Sequence, residues 1–294
     1  MSIRVQLDRP TPSRAADLAG RPLATWQTKR PWMWAILVGI GGTLLTAFGV
    51  GFSQVRHLDP VAATYAQAAF IALSAVLGLA VMWRTRPSLA EYGLRSPRHL
   101  DRALWLLPLF SVPVTLVAVA GITVTPAQAV AYAALSLSVG LNEEIWFRGL
   151  LLATLRRLGT RTAIIGGSVV FGALHLTNFF GGSPPLHLGL QFAFACLAGF
   201  VLAELVAATG SLWLGIVWHF VYDLTALSTG EELNTAGLIA LATTSAVLSV
   251  YAVWLWRRMP VDGPVEVPGE GPGEGPGEVP GEVPVEVPVE VTVP

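Results

Sequence analysis

Long apolar runs, separated by short segments rich in arginine, proline or glycine, fill most of the chain before residue 259. A run of about 18 or more apolar residues with few charges is typical of a transmembrane helix. The sequence contains eight such runs, of which the seventh is short: 32–52, 63–83, 103–124, 127–150, 162–180, 186–208, 211–228 and 236–256. The pattern predicts an all-α fold, a polytopic transmembrane helical bundle of about eight spans, over residues 32–258.

The overall composition agrees with a membrane protein and excludes an ordinary soluble domain. Hydrophobic residues make up 53% of the 294 residues, charged residues make up 13%, and the mean hydropathy is +0.60. Soluble domains carry about 25% charged residues. The single cysteine, Cys196, lies within the sixth run, so an intrachain disulfide and a cysteine-rich zinc site are both excluded.

Basic residues are distributed unevenly between the connecting segments, and this distribution predicts the orientation of the chain. Arginine and lysine cluster before the first run, between the second and third, between the fourth and fifth, and after the eighth. The other side of an eight-span bundle holds one basic residue, Arg56, and the acidic pair Glu231 and Glu232. Because basic residues favour the cytoplasmic side, we predict a multi-pass protein of the cell membrane with both termini cytoplasmic. The segment 1–31 would then be a cytoplasmic lead.

The last part of the chain, 259–294, has a different composition. Proline recurs at every fourth position from Pro264 to Pro288, with glutamate between the prolines. Proline at this density is incompatible with a helix, and repeated like charges keep a chain extended. We therefore predict a disordered tail, with a role as a spacer or a weak partner-binding arm as the alternative to no role.

In the net charge of the whole chain, the acidic residues of the tail cancel a positive charge on the rest of the protein. Asp262 and seven glutamates of the tail supply eight of the 19 acidic residues, although the whole chain has a formal net charge of -1. The remainder carries 18 basic and 11 acidic residues, a net charge of +7. This charge suits anionic lipid headgroups and requires no nucleic-acid partner.

Seven ionisable side chains lie within the predicted spans, where each is a functional candidate: Glu143, Glu144, Arg148, His175, Glu204, His219 and Asp223. An unpaired charge in mid-bilayer costs at least about 2.5–3.5 kcal/mol, so these groups are expected to face one another or water. Glu204 is near the end of its span, where we expect it to reach the membrane interface, and we assign it no role. The other six residues form the candidate polar site.

Helix geometry separates the two adjacent glutamates. Glu144 and Arg148 are four residues apart with the glutamate first, which favours an ion pair. Glu143 lies about 100° around the helix from Glu144, so we expect it to point elsewhere, without a basic partner, and to be available as a general base. His219 and Asp223 are also four residues apart, on one face of their helix.

The directions of the spans predict the depth of the site. Glu143 lies on a span that descends toward the cytoplasm, whereas His175 and His219 lie on spans that rise from it. At about 1.5 Å per residue, the three side chains can reach similar depths in the cytoplasmic half of the membrane, provided that their spans are neighbours.

Three short motifs around these residues resemble those of a known family. The zinc-protease pattern His-Glu-x-x-His and the hydrolase pattern Gly-x-Ser-x-Gly are missing. Instead, Glu-Glu-x-x-x-Arg at 143–148, Phe-x-x-x-His at 171–175 and His-x-x-x-Asp at 219–223 occur in order in three separate spans. Together they resemble the CPBP family, the intramembrane endopeptidases related to the eukaryotic CAAX prenyl protease of the Rce type and to bacterial Abi proteins. The resemblance covers about residues 135–228.

The resemblance implies a membrane-embedded endopeptidase that hydrolyses a peptide bond near the cytoplasmic interface. Glu143 would activate a water molecule, His175 would help to hold that water, and His219 with Asp223 would steady the site and the oxyanion. Asp223 stands where the eukaryotic members of the family often have asparagine, and an aspartate donates to an oxyanion only when it is protonated. The predicted catalytic set is Glu143, Glu144, Arg148, His175, His219 and Asp223.

The cofactor and the partners stay open at this point. Two histidines and a carboxylate can bind a divalent metal such as zinc with one open position, and they serve a metal-free glutamate mechanism equally well. The expected partners are the lipid bilayer and a peptide or protein substrate at the membrane, lipidated or not. The alternative functions are a proton- or ion-coupled transporter or channel, and a non-catalytic membrane scaffold of the same fold.

Overall fold

The computed structural model describes residues 22–98, 100–230 and 234–259. The regular elements in these ranges are helical, and the ranges contain no strand, which confirms the all-α prediction. Most of the predicted N-terminal segment, the pair Glu231 and Glu232, and the predicted tail beyond Met259 lie outside the described residues.

The longer helices are numbered here in chain order. The first part of the chain supplies α1 (Pro22–Lys29), α2 (Pro31–Val55), α3 (Pro60–Thr85) and α4 (Ser111–Ala120). The second part supplies α5 (Pro126–Glu143), α6 (Thr160–His175), α7 (Pro185–Thr209), α8 (Trp213–Thr229) and α9 (Thr235–Arg258). A π-helix, Glu144–Leu151, continues α5 without a break and is followed by a helical turn, Leu152–Leu155, and a 3-10 segment, Arg156–Leu158.

Six helical segments of the described chain are long and apolar enough to cross a membrane: Pro31–Val55, Pro60–Thr85, Asp101–Ala120, Thr160–Phe179, Pro185–Thr209 and Thr235–Arg258. They correspond to six of the eight predicted runs, and the chain is a multi-pass membrane protein. The fourth and seventh runs form α5 with its π-helix and the 17-residue α8. These two helices carry five of the six residues of the candidate site, and the sixth, His175, lies on α6.

The helices pack in a closed ring. In order around the ring, α2 packs on α3, α3 on α5, α5 on α8, α8 on α4, α4 on α9, α9 on α7, α7 on α6, and α6 again on α2. The π-helix lies within this ring, because it contacts α2, α3 and α6 and all eight of its residues are buried. Neighbours in space therefore include α5, α6 and α8, as the predicted site requires.

The two ends of the ring differ in charge. One end, called here the arginine-rich end, holds Arg30, Arg84, Arg86, Arg95, Arg98, Arg102, Arg156, Arg157, Arg161, Arg257 and Arg258. Burial, together with nearby Arg98 and Arg86, lowers the pKa of Arg156 to about 10. The opposite end is formed by the α2–α3, α4–α5, α6–α7 and α8–α9 connections, and Arg56 is the one arginine or lysine among its described residues.

A tightly packed apolar core fills the ring near the arginine-rich end. Met82, Leu150, Leu155, Ile164 and Leu212 are each 0% exposed. They come from the last turns of α3, the π-helix and the turn after it, the start of α6 and the residue before α8. Interiors of this kind are packed as densely as organic crystals, so this core closes the ring at the arginine-rich end.

Polar caps stabilise the starts of three helices at the opposite end. The Asp59 carboxylate accepts hydrogen bonds from two backbone N–H groups in the first turn of α3, at 3.0 and 3.1 Å. Thr125 and Gln128 form a capping box at the start of α5, and the Asn234 side chain accepts from Gly237 N at 2.9 Å at the start of α9. Each cap of this type contributes about 1 kcal/mol.

Candidate active site

Glu144 is the most enclosed group of the site. It is 0% exposed, and its Oε1 lies 3.1 Å from Arg148 Nη1 and 3.3 Å from His219 Nδ1. The predicted pairing of Glu144 with Arg148 is therefore present, and the same carboxylate also holds the imidazole of α8. Because a carboxylate only accepts hydrogen bonds, the contact requires His219 Nδ1 to carry a proton.

Two glycines allow α8 to come this close. A Cβ atom at Gly215 would lie 2.6 Å from Glu144 Oε2, and a Cβ at Gly140 would lie 3.3 Å from the backbone of α8 at Ile216 O and Phe220 N. A larger residue at Gly215 would collide with the carboxylate that holds the histidine. The sequence analysis did not identify either glycine as part of the site. Their positions, close to the Glu-Glu motif and the His motif, were the one feature of the sequence that could have indicated such a role.

Glu143 faces His219 from the other side of the imidazole. Its Oε2 lies 3.4 Å from His219 Nε2, and Asp223 Oδ2 lies 3.6 Å from the same nitrogen. The expectation that Glu143 has no basic partner was therefore wrong. The reason is tertiary, because the close approach of α8 to α5 at Gly140 brings the histidine to Glu143 from another helix.

His175 lies across the cavity from this cluster. Its Nδ1 is 2.9 Å from the Phe171 carbonyl oxygen, four residues earlier in α6. A carbonyl oxygen only accepts, so Nδ1 donates and the Nε2 of a neutral imidazole is left as an acceptor. Among the described contacts, no hydrogen bond or ion pair joins His175 to Glu143, although both side chains line the same two cavities.

Phe171 links the two halves of the site. Its ring lies edge to face with His175, with ring centroids 4.7 Å apart, and the Arg148 guanidinium carbon lies 4.2 Å from the same ring centroid. A cation over an aromatic face is an attractive contact. Phe171 thus positions Arg148, which holds Glu144, and His175, whose Nδ1 it binds through its backbone. Gly199 of α7 makes room for this ring, since a Cβ there would lie 2.9 Å from it.

Two cavities meet at these side chains, with volumes of about 310 Å³ and 700 Å³. Both are lined by Glu143, His175 and Asp223. The smaller cavity lies among α4, α7, α8 and α9, and the larger one lies among α2, α3, α5 and the segment after α6. The six predicted site residues are thus gathered around one place. Glu144 lines neither cavity, whereas Arg148 lines the smaller one together with the other four residues.

Two positions along neighbouring helices describe the height of the site in the bundle. Asn142, the residue before Glu143, donates from Nδ2 to Gly42 O at 2.9 Å, and Gly42 lies near the middle of α2. His219 lies in the second turn of α8, a helix that begins at the arginine-rich end. The expected depth, in the cytoplasmic half of the membrane, stays a prediction.

Glu204 does not reach the interface, and that prediction was wrong. The side chain is 0% exposed, and neither carboxylate oxygen has a hydrogen-bond partner among the described residues. It lies on α7, which is packed between α6 and α9, and nearby Phe200 stacks on Trp256 with ring centroids 5.3 Å apart. The carboxyl group is therefore enclosed within the helical bundle. Glu204 lines neither of the two cavities.

The donor set does not match a metal site. Within residues 22–98, 100–230 and 234–259, no group of three or more His, Cys, Asp or Glu side chains is spaced to hold a metal ion. Both nitrogens of His219 are directed at carboxylates and Nδ1 of His175 is directed at a backbone carbonyl. The arrangement suits proton transfer and hydrogen bonding, so no step below passes through a metal.

These observations define a class, a multi-pass membrane protein whose helical ring encloses a site of two histidines and three carboxylates. Residues 125–225 match the family model described as type II CAAX prenyl endopeptidase Rce1-like. This stretch, from the start of α5 into α8, is a domain of the CPBP (CAAX protease) family, which confirms the resemblance predicted from the three motifs. The family is one of proteases that act on membrane-associated substrates. No curated protein and no solved structure matches the chain.

Proposed function

We propose that the protein is an intramembrane endopeptidase in which Glu143 activates a water molecule for attack on a peptide bond. The observation that carries this proposal is the position of Glu143, which lines both cavities while its neighbour Glu144 is buried against Arg148 and His219. One carboxylate is thus available to a substrate, and the other fixes the histidine beside it.

The first step is a proton transfer. The Glu143 carboxylate takes a proton from water, the water oxygen bonds to the scissile carbonyl carbon, and the carbonyl π electrons move onto its oxygen. His175 Nε2, an acceptor because Nδ1 donates to Phe171 O, holds the second hydrogen of the water. A positioned acid–base group of this kind contributes roughly 10²–10⁴ to the rate.

The second step is collapse of the tetrahedral intermediate. His219, whose Nδ1 donates to Glu144, directs its Nε2 toward Glu143 and Asp223. Both ring nitrogens face carboxylate oxygens, an arrangement that matches an imidazolium with N–H on each side. The Nε2–H donates to the oxyanion. The protonated Glu143 then gives its proton to the leaving nitrogen as the C–N bond breaks, and a carboxylic acid and an amine result.

Asp223 has a different part in this scheme from the asparagine common in the eukaryotic members of the family. A carboxylate beside Nε2 attracts the proton on that nitrogen rather than donating one of its own. We assign Asp223 the role of keeping His219 oriented, and the oxyanion hydrogen bond to His219 alone.

The proposal is tested by comparing peptide termini in membranes from cells that produce the wild-type protein or Glu143→Gln. Mass spectrometry should find new termini, within or next to membrane segments, that depend on Glu143. The amide keeps the size of the side chain and removes the base, so equal amounts of folded protein provide the control. Identical sets of termini in the two membranes would contradict the proposal and favour a transporter or a scaffold.

A further inference from the structure

Both cavities lead from the site toward the same end of the bundle. The larger cavity reaches Gln54 in the last turn of α2 and Gln67 in the third turn of α3, both near the opposite end. The smaller cavity reaches Ala120 at the end of α4 and Gly230 after α8, which belong to that end as well. None of the residues that line either cavity belongs to the arginine-rich end.

The way to the arginine-rich end is filled by side chains. Leu150 and Leu151 of the π-helix, Leu155 after it, Ile164 of α6 and Leu212 before α8 are all 0% exposed. They belong to one apolar cluster that also contains Met82 and Tyr92. A dense apolar core of this kind does not admit a polar peptide without repacking, so the described structure offers a substrate one direction of approach.

The larger cavity has the chemistry of a cleft for an extended peptide. The uncharged polar side chains that line it come from α2, α3, α5, α7 and the segment after α6: Thr43, Thr46, Gln54, Gln67, Ser136, Asn142, Thr177, Asn178 and Gln191. Hydroxyl and amide groups both donate and accept, as the N–H and C=O groups of a peptide backbone require. No arginine or lysine lines this cavity, and the acidic residues that line it are Glu143 and Asp223 of the site itself.

One buried acceptor beside the cavity lacks a partner. Asn142 is 2% exposed, its Nδ2 donates to Gly42 O, and its Oδ1 has no hydrogen-bond partner among the described residues. A buried acceptor left without a donor is costly. A backbone N–H brought to this point would satisfy it, one residue away from the proposed base Glu143.

We propose that the larger cavity binds the substrate as an extended, uncharged peptide segment that enters from the end opposite the arginines. This inference rests on the proposed function. Because basic residues favour the cytoplasmic side, that entrance faces away from the cytoplasm. The substrates are then membrane or exported proteins whose cleavable segment is presented on the non-cytoplasmic side, and cytoplasmic lipidated tails are not among them.

Cysteine labelling tests the direction of entry without relying on activity. Replacing the single cysteine, Cys196→Ala, gives a background for Thr46→Cys inside the larger cavity, Gln54→Cys at its mouth and Arg157→Cys at the arginine-rich end. A charged, membrane-impermeant maleimide is added to intact cells and, separately, to inverted membrane vesicles. We expect Thr46→Cys and Gln54→Cys to react in intact cells, and Arg157→Cys to react in the inverted vesicles.

Several results would overturn the proposal. Labelling of Thr46→Cys from the side that labels Arg157→Cys would place the entrance at the other end, and no labelling from either side would show that the cavity is closed. Labelling of Arg157→Cys in intact cells would reverse the assigned side of the substrate. The labelling should be the same when Glu143→Gln is added, so a failure of the proposed reaction is seen separately.

An activity arm tests whether the cavity is the route that the substrate takes. Cleavage by the Thr46→Cys protein is measured before and after labelling, and attachment of a bulky maleimide should abolish the Glu143-dependent peptide termini that the unlabelled variant forms. The same reagent on Arg157→Cys should leave those termini unchanged. Full cleavage after complete labelling at position 46 would assign the substrate to another route.

Discussion

The two ends of the helical ring differ in how their interior is packed. Near the arginine-rich end, leucine, isoleucine and methionine side chains with no exposed surface fill the interior. Toward the opposite end, the helices surround two cavities whose walls include glutamine, asparagine and threonine. The packed end supplies apolar contacts that hold the helices together, and the open end supplies the space and the polar groups that the proposed substrate site requires.

The boundary between these two regions falls between two consecutive residues. Glu144 belongs to the packed region, where it is 0% exposed and bound to Arg148 and His219. Glu143 belongs to the open region and lines both cavities. Two chemically identical side chains therefore have different surroundings, and the variants below test whether they have the different roles proposed for them.

The largest effect on stability is expected for Glu144→Gln. The change leaves Arg148 buried without its counter-ion, and breaking a buried ion pair in this way costs about 3–5 kcal/mol. Thermal unfolding of the purified protein in detergent should show a clearly lower Tm, with activity lost as well because His219 Nδ1 loses its ionised acceptor. An unchanged Tm would show that the ion pair does not stabilise the packed region. The two glutamates could then no longer be distinguished by their contribution to stability.

Glu143→Gln should leave stability intact and abolish most of the activity. The amide fills the same volume at the wall of the cavities, while loss of a positioned base lowers the rate by about a hundredfold or more. Parallel measurements of Tm and of Glu143-dependent cleavage check the two parts of this prediction. Retained cleavage would end the assignment of Glu143 as the base.

Gly215→Ala tests how closely the two regions are joined. The added Cβ would lie 2.6 Å from Glu144 Oε2, and forcing an extra methyl group into a packed site costs about 1–3 kcal/mol. Gly189→Ala on α7 is the matched control, because nothing lies within 4 Å of its Cβ. We expect a lower Tm and lower activity for the first variant and neither for the second; equal behaviour would show that α8 can move away from Glu144 at little cost.

The smallest effect is expected for removal of the tail. Truncation after Pro260 deletes the Pro and Glu repeat, whose composition predicts no stable contact with the helical ring. The Tm in detergent and the Glu143-dependent cleavage should both stay at their wild-type values. Loss of folded protein after this truncation would give the tail a structural role at one end of the ring.

The sequence alone supports the helices and the set of site residues, for a physical reason. Charges in apolar runs are costly, so the few that occur, such as Glu143, His175 and His219, stand out without knowledge of the fold. What could not be predicted depends on distances between helices. The contact of Glu143 with His219 requires Gly140 to bring α5 and α8 together, and the burial of Glu204 requires α6 and α9 to cover it.

The direction in which the cavities open could not be predicted from the sequence either. Positions of charges in the sequence indicate which end of each helix faces the cytoplasm, but they do not show which part of the interior is filled. Near the arginine-rich end, the interior of the ring is filled by the π-helix and by the residues around it. No pattern of apolar and polar positions distinguishes a filled interior from an open one when both are lined by membrane helices.

The π-helix also affects how this sequence can change in evolution. Such a segment holds more residues per turn than an α-helix, so the loss of one residue lets it return to α-helical geometry. The helix on either side would then keep nearly its present orientation, because the deletion removes the extra residue of a wide turn. Loss of one residue from the regular α-helix before it, Pro126–Glu143, would instead turn everything beyond the deletion by about 100° around the helix axis. Descendants of this protein should therefore vary in length between Glu144 and Leu151 more readily than within Pro126–Glu143.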